Sequence, residues 1–464
     1  MKAALALNHI TFSYHQGPVV LNDLDLVLEE GCLAVLQGIS GTGKTTLLSV
    51  INGVIPHVTQ GHLEGSVVIG GEDMTGKGIA YRARHVGSIL QNADDQIVQD
   101  RVEDEVAFGL ENLGVAQSEM EARIEHALKL VNLKPHLKTR KLSGGQKQRL
   151  ITATTLAMGQ RLILLDEPCA NLDRETSISL LRMLKELTNK GYTVLLVEHR
   201  LDLVLPYADI VYSLTDGALH VEKDPGALLK HSSEHIPYDK EPLTNSTRLI
   251  GISDLYYTVR HVDVIRGITL DIHEGERITV LGPNGCGKTT LLKLLARLID
   301  PSAGGYEQSI IDSQHTYARP EWFQKAGYVY QNPSYQLFMP TVRSEIMRGA
   351  ASKDRAERMI ELFGLQGLEE RHPHSLSEGQ KRRVGVAAVC ATDPKVLFLD
   401  EPTVGQDYEN LKQMLLSIKT LQKESGCAVV AVTHDARCKE ALSDKQVIMK
   451  QGRILSSVSP YPSP

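Results

Sequence analysis

Short apolar runs alternate with segments of helical periodicity along this chain. Largely apolar runs occupy Cys32–Gly38, Leu162–Asp166 and Thr193–His199, and Arg277–Gly282 resembles the first of them. The segment from Thr176 to Asn189, which separates the second and third runs, is amphipathic and predicts a helix. Strands that are apolar at successive positions are typical of parallel sheets with helices on both faces. The pattern therefore predicts an α/β fold built on a parallel sheet.

The chain contains the same ordered set of segments twice, at nearly the same spacing. The pairs are GISGTGKTT (Gly38–Thr46) and GPNGCGKTT (Gly282–Thr290), KLSGGQKQR (Lys141–Arg149) and SLSEGQKRR (Ser375–Arg383), LILLDEP (Leu162–Pro168) and VLFLDEP (Val396–Pro402), and LLVEH and VAVTH, which end at His199 and His434. An ordered repeat of this kind indicates a duplicated domain. We predict a first domain over residues 1–228, a polar, proline-containing linker over 229–247 and a second domain over 248–464.

Composition narrows the function classes. The 464 residues carry a formal net charge of −6, which provides no general basic field for nucleic acid. The six cysteines are scattered without a CxxC pair, as is typical of reduced cytosolic thiols and not of a disulfide framework or a zinc site. No run of about 18 apolar residues occurs, so we expect no membrane-spanning segment. The N-terminal MKAALALNHITFSY, broken by Asn8 and His9, predicts a first strand and not a signal peptide.

Each half carries a phosphate-binding loop. A GxxxxGK[ST] segment between a strand and a helix directs backbone N–H groups and a helix N-terminus at a phosphate chain. In the two copies Lys44 and Lys288 are expected to lie on the β and γ phosphates, and Thr45 and Thr289 on Mg²⁺. A glycine-rich turn without function is the alternative, and the strand–helix context of both copies disfavours it.

A pair of carboxylates ends one predicted strand in each half. In P-loop ATPases the first carboxylate helps to hold Mg²⁺, a role that falls to Asp166 and Asp400. Glu167 and Glu401 follow directly and are placed to orient or polarise the attacking water. Alone, such a pair would indicate a strand end that faces solvent; together with a phosphate loop it favours catalysis.

The segment LSGGQ at Leu142–Gln146 makes the chain resemble the ATP-binding-cassette (ABC) family, whose signature it is. The resemblance covers nearly the whole chain. It implies an α/β protein with two tandem ABC nucleotide-binding domains, each a RecA-like P-loop core with an antiparallel β subdomain and an α-helical signature subdomain. It also implies an ATPase that uses ATP and Mg²⁺.

The resemblance assigns roles to matching residues of both halves. It implies an aromatic residue that stacks on adenine (Tyr14, Tyr257), a Q-loop glutamine that reaches Mg²⁺ (Gln91, Gln331), a switch histidine that contacts the γ-phosphate (His199, His434) and a D-loop (Ala170–Asp173, Val404–Asp407). The implied catalytic residues are Glu167, Glu401, His199 and His434. The implied ATP-binding residues are Tyr14, Gly38, Ser40, Gly41, Gly43, Lys44, Thr45, Thr46, Gln91, Ser143, Gly145, Gln146, Asp166, Tyr257, Gly282, Asn284, Gly285, Gly287, Lys288, Thr289, Thr290, Gln331, Ser377, Gly379, Gln380 and Asp400. The implied metal ligands are Thr45, Gln91, Asp166, Thr289, Gln331 and Asp400.

In this family two cassettes pack head to tail, and each ATP is held by the phosphate loop of one and the signature of the other. The resemblance therefore implies that the two cassettes pair within one chain. One site would use Lys44 and Glu167 with Ser377 and Gly379, and the other Lys288 and Glu401 with Ser143 and Gly145. The second signature departs from the family, because LSEGQ has Glu378 where glycine is usual. Ser377 and Gly379 remain, so we expect both sites to be competent.

The segment after the Q-loop, Gln91–Val115, resembles that of energy-coupling factor (ECF) importers, and Gln331–Ile346 repeats it in weaker form. In such importers this segment grips arginine-bearing coupling helices of a transmembrane partner. Five carboxylates are expected to form an acidic face for this contact: Asp94, Asp95, Glu103, Asp104 and Glu105. For each of them a solvated acidic helix is the alternative. The second half has Ser334 and Tyr335 in place of the paired aspartates.

This resemblance implies the energising subunit of an ECF-type importer of a vitamin, a vitamin precursor or a metal ion. It implies two partners, a transmembrane coupling subunit and a substrate-binding membrane subunit, a peripheral location at the cytoplasmic face of the cell membrane, and no nucleic-acid partner. Two alternatives stay open. The first is a tandem ABC ATPase that acts on ribosomes or RNA; such proteins typically carry a long charged linker, whereas the linker here is short and mixed in charge. The second is the fused ATPase of a sugar ABC importer, which the segment Gln91–Val115 fits less well.

Overall fold

The computed structural model describes residues 2–15, 17–39, 41–91, 93–170, 172–232, 247–306, 311–312, 315–316, 319–403, 406, 408–433, 438 and 441–458. The chain divides into two compact units, Met1–Ser232 (unit 1) and Ser233–Pro464 (unit 2). The start of the predicted linker is helical, because helix Pro225–Ser232 covers it. Most of the remaining linker residues lie outside the described residues.

Unit 1 combines strands and helices in the alternating order that the apolar runs predict. Its described strands are β1 (Ala3–Tyr14), β2 (Val19–Glu29), β3 (Leu33–Gln37), β4 (Gly61–Ile69), β5 (Glu72–Asp73), β6 (Val86–Ile89), β7 (Leu162–Asp166), β8 (Thr193–Val197), β9 (Ile210–Thr215) and β10 (Ala218–Val221). Its described α-helices are α1 (Lys44–Asn52), α2 (Val54–His57), α3 (Ile79–Arg82), α4 (Val102–Asn112), α5 (Gln117–Leu130), α6 (Gly144–Ala157), α7 (Arg174–Thr188), α8 (Leu201–Val204) and α9 (Pro225–Ser232), and single 3₁₀ turns cover Ala93–Asp95 and Thr139–Lys141.

Two sheets organise unit 1. The larger has the strand order β10-β9-β3-β8-β7-β6, with all pairs parallel except β10 with β9. The smaller is antiparallel, with the order β2-β1-β4-β5. β3, β7 and β8 lie inside the parallel sheet, which is why their sequences are apolar at successive positions.

Alternate residues of a central strand supply two separate cores in unit 1. Ile163 and Leu165 of β7 pack with α4, α5, α6 and α7 on one face of the parallel sheet. Leu162 and Leu164 pack on the other face with α1 and the antiparallel sheet. Successive side chains of a strand point to opposite faces, so a strand covered on both sides must be apolar throughout. The phosphate loop and the carboxylates thus stand at the carboxyl ends of rigid, doubly covered strands.

Unit 2 repeats this plan. Its described strands are β11 (Arg248–Val259), β12 (Val262–His273), β13 (Arg277–Leu281), β14 (Ala303–Tyr306), β15 (Ile311–Asp312), β16 (His315–Thr316), β17 (Ala326–Val329), β18 (Val396–Asp400), β19 (Ala428–Val432), β20 (Lys445–Lys450) and β21 (Arg453–Val458). Its described α-helices are α10 (Lys288–Leu295), α11 (Arg319–Lys325), α12 (Val342–Met347), α13 (Lys353–Leu362), α14 (Glu378–Ala391) and α15 (Tyr408–Ser425), with 3₁₀ turns at Pro333–Tyr335 and Pro373–Ser375.

The main sheet of unit 2 has the order β17-β18-β19-β13-β20-β21, parallel except for β20 with β21. Position by position this is the order of unit 1, read from the β6 edge. An antiparallel sheet, β12-β11-β14, again lies beside it. The α/β fold, the antiparallel β subdomains and the helical signature segments are therefore confirmed. Among the described residues no helix has both the length and the apolar character that crossing a membrane requires.

Candidate nucleotide site in each unit

The phosphate loop of unit 1 joins the end of β3 to the start of α1. Gly43 precedes the helix with φ 102°, and a Cβ there would lie 2.8 Å from Val20 Cγ1. Only glycine fits this left-handed, crowded position. No side chain of the described residues caps α1, and the N-terminus of a helix favours the binding of an anion. Gly287 of unit 2 repeats this geometry, with φ 104° before α10.

Each loop closes over its lysine. Lys44 Nζ donates to the carbonyl oxygens of Gly38 and Ile39, both at 2.8 Å, and the residue is buried. Lys288 Nζ donates in the same way to Gly282, at 2.8 Å, and to Pro283, at 3.1 Å. The ammonium groups therefore stand inside the curve of the loop, where the phosphates of a nucleotide would lie.

The residues predicted to hold Mg²⁺ are brought together in both units. Thr45 Oγ1 donates to Asp166 Oδ2 at 2.8 Å, and Thr289 Oγ1 donates to Asp400 Oδ1 at 2.9 Å. Burial raises the pKa of Asp166 to about 6, and burial also raises the pKa of Asp400. A carboxylate and a hydroxyl provide hard oxygen ligands, which suit Mg²⁺. The positive charge of a bound Mg²⁺ would stabilise the ionised carboxylate that burial disfavours.

Two predicted residues, Gln91 and His199, converge on the carboxylate of a third, Glu167, in unit 1. Glu167 Oε1 lies 2.8 Å from His199 Nε2, and its Oε2 accepts a hydrogen bond from Gln91 Nε2 at 3.0 Å. The Glu167 backbone is left-handed, with φ 45°, and its N–H donates to Val197 O at 3.0 Å. This turn directs the side chain away from β7 and toward the histidine and the glutamine. Strain of this kind is typical of functional positions.

Glu401 of unit 2 has the same backbone, with φ 48° and an N–H that donates to Val432 O at 2.9 Å. Its predicted partner His434 lies outside the described residues, as does Ser40 of the first loop. The remaining predicted residues of the loops, Gly41, Thr46, Asn284, Gly285 and Thr290, lie in the two turns or in the first turn of α1 and α10. The roles of all these residues stay predictions.

The two aromatic residues occupy different places. Tyr14 is the last residue of β1, its side chain is 40% exposed, and its hydroxyl lies 3.0 Å from Thr46 Oγ1. Tyr257 pairs with Ile265, as Phe12 pairs with Leu21 in unit 1, and it packs against the core. The residue that ends β11 is Val259. The structure therefore corrects the assignment of Tyr257 as the counterpart of Tyr14: Tyr257 takes the place of Phe12.

Each signature serine caps a helix. Ser143 Oγ accepts from Gln146 N–H at 3.3 Å, and Gln146 Oε1 accepts from Ser143 N–H at 2.9 Å. Ser377 and Gln380 form the same capping box at the start of α14. The signature is thus held rigidly at a helix N-terminus, and Gly145 and Gly379, which complete it, lie buried in the first turns of α6 and α14.

The departure at Glu378 is neutralised within its own helix. Glu378 is the first residue of α14, and its Oε1 accepts from Lys381 Nζ at 2.8 Å. A carboxylate in the first helical turn is also favoured by the helix dipole. In unit 1 the corresponding Lys147 pairs instead with Asp94, at 2.5 Å.

Sequence patterns missed four residues that shape the sites. Arg82 and Trp322 are fully buried against the ends of the helices that follow the phosphate loops. Tyr328 donates its hydroxyl to Asp400 Oδ2 at 3.0 Å, and Arg382 lies between the segments that carry Gln331 and Glu401. Alignment of the two halves could have drawn attention to three of them, because the halves differ there. Tyr328, Trp322 and Arg382 of unit 2 align with Ser88, Arg82 and Gln148 of unit 1.

Comparisons with known proteins agree with this geometry. A sequence model of the family described as ABC transporter matches residues 21–170 and 265–404. A protein of Methanosarcina mazei, provisionally named an ABC transporter ATP-binding protein, is 32% identical over 507 residues, covering 95% of this chain and 86% of that protein. YkoD of Bacillus subtilis, provisionally named for HMP/thiamine import, is 31% identical over 506 residues, covering 98% of this chain and 91% of YkoD.

Among solved structures, the archaeal ribosome recycling factor aABCE1, in complex with the stalk protein aP1, matches with a TM-score of 0.64 and 20% identity. The match covers 98% of this chain and 90% of aABCE1, and it shows the shared tandem fold alone. The two family matches, the full-length relatives and the two sets of loop, carboxylate and signature residues lead to one conclusion. This chain belongs to the ABC transporter family and is a tandem ABC ATPase that binds and hydrolyses ATP with Mg²⁺.

Proposed function

We propose that the chain is the ATP-hydrolysing subunit of an ECF-type importer and acts through separate membrane subunits. The observation that carries this proposal is the surface after each Q-loop, where charged and apolar side chains lie exposed. As the family resemblance implies, the phosphate loop of each unit is proposed to act with the signature of the other. The location that follows is peripheral, at the cytoplasmic face of the membrane.

In unit 1 this surface is acidic, although one carboxylate must be removed from the predicted face. Glu105 is buried, and its Oε2 accepts from the N–H groups of Val98, at 2.9 Å, and Gln99, at 2.7 Å. It holds the loop before α4 and is not available to a partner. Glu345 does the same in unit 2, where it accepts from Phe338 and Met339.

The other four carboxylates of unit 1 reach the surface to different degrees. Asp95 and Asp104 are exposed. Asp94 pairs with Lys147 but remains 61% exposed, and Glu103 lies near Arg101 and His136. Val98, 67% exposed, lies in the same segment. A basic helix with a few apolar side chains fits this combination, because exposed carboxylates next to an apolar contact favour charge-assisted pairing with arginine.

The same surface of unit 2 is aromatic. Tyr335 and Phe338 are 68% and 67% exposed, and Met347 is 37% exposed. Arg343 lies at the position of Glu103 and pairs with Glu357 and Glu370 of its own unit. Aromatic and methionine side chains are favoured in the centres of protein interfaces. We therefore propose that the two units contact two different helices of the membrane partner, a basic one at unit 1 and a more apolar one at unit 2.

The proposed cargo is a small vitamin or vitamin precursor. The support is the full-length similarity to YkoD, whose name provisionally assigns it to HMP/thiamine import. A membrane subunit that binds substrate would select the cargo, so no residue of this chain is assigned to it.

The test is purification of the tagged chain from native membranes in mild detergent, with mass spectrometry of co-purifying proteins. We expect a small polytopic protein together with a second, substrate-binding membrane protein. The double variant Asp95→Lys/Asp104→Lys should lose both. Glu121→Lys/Glu125→Lys, which reverses two exposed charges on α5 of the same subdomain, should keep them.

Ribosomal proteins in place of membrane proteins would contradict the importer and support the ribosomal alternative. If Asp95→Lys/Asp104→Lys keeps the membrane partners, the importer assignment is still supported, but the acidic surface does not form the contact. Membrane partners that include a sugar-specific subunit would assign the chain to the sugar importers instead.

A further inference from the structure

Arg382 connects the signature helix of unit 2 to both segments that carry its proposed catalytic side chains. It is the fifth residue of α14, and only 4% of it is exposed. One guanidinium nitrogen, Nη1, donates to Glu401 O at 2.7 Å. The other, Nη2, donates to Gln331 O at 2.8 Å.

A buried guanidinium in this place is costly and therefore informative. Burial lowers the pKa of Arg382 to about 10, so the group stays charged at neutral pH. A buried charge needs compensating dipoles, and the two carbonyl oxygens supply them. Each carbonyl belongs to the backbone of the very residue whose side chain is assigned to hydrolysis or to Mg²⁺. The fixed fork of the guanidinium sets the distance between these two backbone atoms.

Glu401 is a position where such support matters. Its backbone is left-handed, with φ 48°, which is disfavoured for a residue with a side chain. A charge-assisted hydrogen bond to its carbonyl stabilises this conformation and restricts the orientation of the carboxylate. Unit 1 has the same left-handed backbone at Glu167, with φ 45°. Its signature helix, however, carries a different residue at the position of Arg382.

Gln148 is the fifth residue of α6 and aligns with Arg382. It is buried to the same degree, with 4% exposed, and its Oε1 has no hydrogen-bond partner among the residues that the structure describes. The Glu167 carbonyl accepts from Ala170 N–H at 3.1 Å. Unit 1 thus has the shorter, uncharged Gln148 at the position where Arg382 links two backbone carbonyls in unit 2.

We propose that Arg382 is a positioning residue for hydrolysis in unit 2: it fixes the backbone of Glu401 relative to that of Gln331. The two sites of the chain then differ in how the backbone of the carboxylate is held: Arg382 of the signature helix fixes that of Glu401, whereas in the described part of unit 1 Gln148 makes no such bridge to that of Glu167. Because Arg382 acts through backbone atoms of these two segments, its loss changes the hydrolysis step more than nucleotide affinity. The inference rests on the assignment of Glu401 to hydrolysis, which Glu401→Gln tests separately.

The experiment compares three variants of the full chain: Arg382→Gln, which gives unit 2 the side chain of unit 1, Arg382→Lys and Arg383→Gln. Each is combined with Glu167→Gln, so that the hydrolysis measured comes from the site with Glu401. Arg383 is the neighbouring buried arginine, and it donates to the carbonyl of Phe363, at 3.3 Å, and to Gln413, at 2.9 Å. For each variant kcat and KM for ATP are measured, with the affinity for ATP·Mg²⁺ and Tm alongside.

We expect Arg382→Gln to lower kcat about tenfold with the ATP affinity changed less than about twofold, because small errors in placing a catalytic group cost rate. Arg382→Lys should not restore kcat, since one ammonium cannot span two carbonyls as a planar fork does. Arg383→Gln should lower Tm while kcat of the folded fraction stays within about twofold.

A folded Arg382→Gln with unchanged kcat would overturn the proposal, as would equal losses of kcat and affinity or the same kcat loss in Arg383→Gln. If neither Arg382 variant folds, Gln148→Arg decides: the proposal expects kcat to rise, and an unchanged kcat overturns it. Should Glu401→Gln itself leave hydrolysis unchanged, the assignment of Glu401 fails, whatever Arg382 does.

Discussion

The two units solve the same structural problem with different side chains. The C-terminal carbonyls of α1 receive hydrogen bonds from Arg82, whose Nη1 donates to Val50 O at 2.7 Å and to Ile51 O at 3.1 Å. At the end of α10, Trp322 Nε1 donates to Ala296 O at 3.1 Å. Each residue lies four positions before the strand that ends in the Q-loop. The last carbonyls of a helix need donors when they are buried, and a large side chain with one N–H suffices.

The surroundings of the Mg²⁺ carboxylates differ in the same way. Within the described part of unit 1, Asp166 accepts a side-chain hydrogen bond from Thr45, whereas Asp400 accepts from both Thr289 and Tyr328. The tyrosine hydroxyl compensates part of the desolvation of Asp400, and burial together with this carboxylate raises the pKa of Tyr328. Phosphate-loop chemistry is thus common to the units, while the residues that support it have diverged.

The largest effect is expected when the proposed catalytic carboxylate of one unit is changed and that of the other is kept. Glu167→Gln and Glu401→Gln each keep a side chain of the same shape and remove the charge that acts on the water. We predict a loss of hydrolysis at the affected site of about 100-fold or more, with ATP still bound. Steady-state ATPase assays of the single and double variants measure this. A double variant with the wild-type rate would contradict both assignments.

The next largest effect is on the stability of unit 2. Trp322 is the single tryptophan of the chain and is 1% exposed. Trp322→Ala should lower the free energy of unfolding of unit 2 by about 3–5 kcal/mol, because it leaves a cavity and an unpaired carbonyl. Denaturant titration followed by circular dichroism measures the loss. Phe323→Ala, which removes a 44% exposed ring from the same helix, is the matched control and should cost far less.

A smaller effect of opposite sign is expected at the carboxylate of unit 1. The pKa of Asp166 is raised from 3.8 to about 6, so the folded state favours the protonated form. The stability that this group contributes is therefore present below about pH 4 and lost as the pH rises through about 6. Without nucleotide and Mg²⁺, Asp166→Asn should be more stable than the wild type by roughly 2 kcal/mol at pH 7.5 and hardly more stable at pH 4.

Thermal unfolding in a chelator at the two pH values measures this difference. Asp400→Asn is the comparison, and we expect a smaller gain because Tyr328 and Thr289 both support the charged form of Asp400. An Asp166→Asn variant that is less stable than the wild type at pH 7.5 would show that the carboxylate is not desolvated as described.

The smallest effect is expected at the unusual signature residue. Glu378→Gly restores the family pattern but removes the pair with Lys381 and places glycine in a helix. We predict a change in ATPase rate below about threefold and a loss of about 1 kcal/mol in stability. A rate increase of tenfold or more would mean that the charge of Glu378 inhibits hydrolysis despite its lysine partner.

Sequence alone predicted the parts of each site that come from strand ends. Lys44, Thr45, Asp166 and Glu167 meet because the carboxyl ends of parallel strands share one edge of the sheet. Their types and spacing were sufficient, since a phosphate chain with Mg²⁺ demands those groups at that edge. The antiparallel β subdomains followed from the family resemblance, and they are confirmed.

Features that depend on register or on long-range packing were out of reach. The Tyr257 assignment was wrong because Tyr257 pairs with Ile265 as Phe12 pairs with Leu21, and this strand pairing, which places the end of β11 at Val259, is not visible in the sequence. Glu105 was placed on a surface because a carboxylate near the start of a helix is usually solvated; here two N–H groups of the preceding loop enclose it. The donors Arg82, Trp322 and Arg382 act across many residues of sequence, so no local pattern marks them.

The central claim is that one chain carries two complete nucleotide sites, and equilibrium binding tests it most directly. The measurement is the number of radiolabelled ATP molecules bound, with Mg²⁺, to the purified Glu167→Gln/Glu401→Gln variant, and to the same variant with Lys44→Ala or Lys288→Ala added. The account predicts two ATP per chain in the first case and one in each of the others. One ATP or none in the double variant, or two ATP after removal of either lysine, would contradict it.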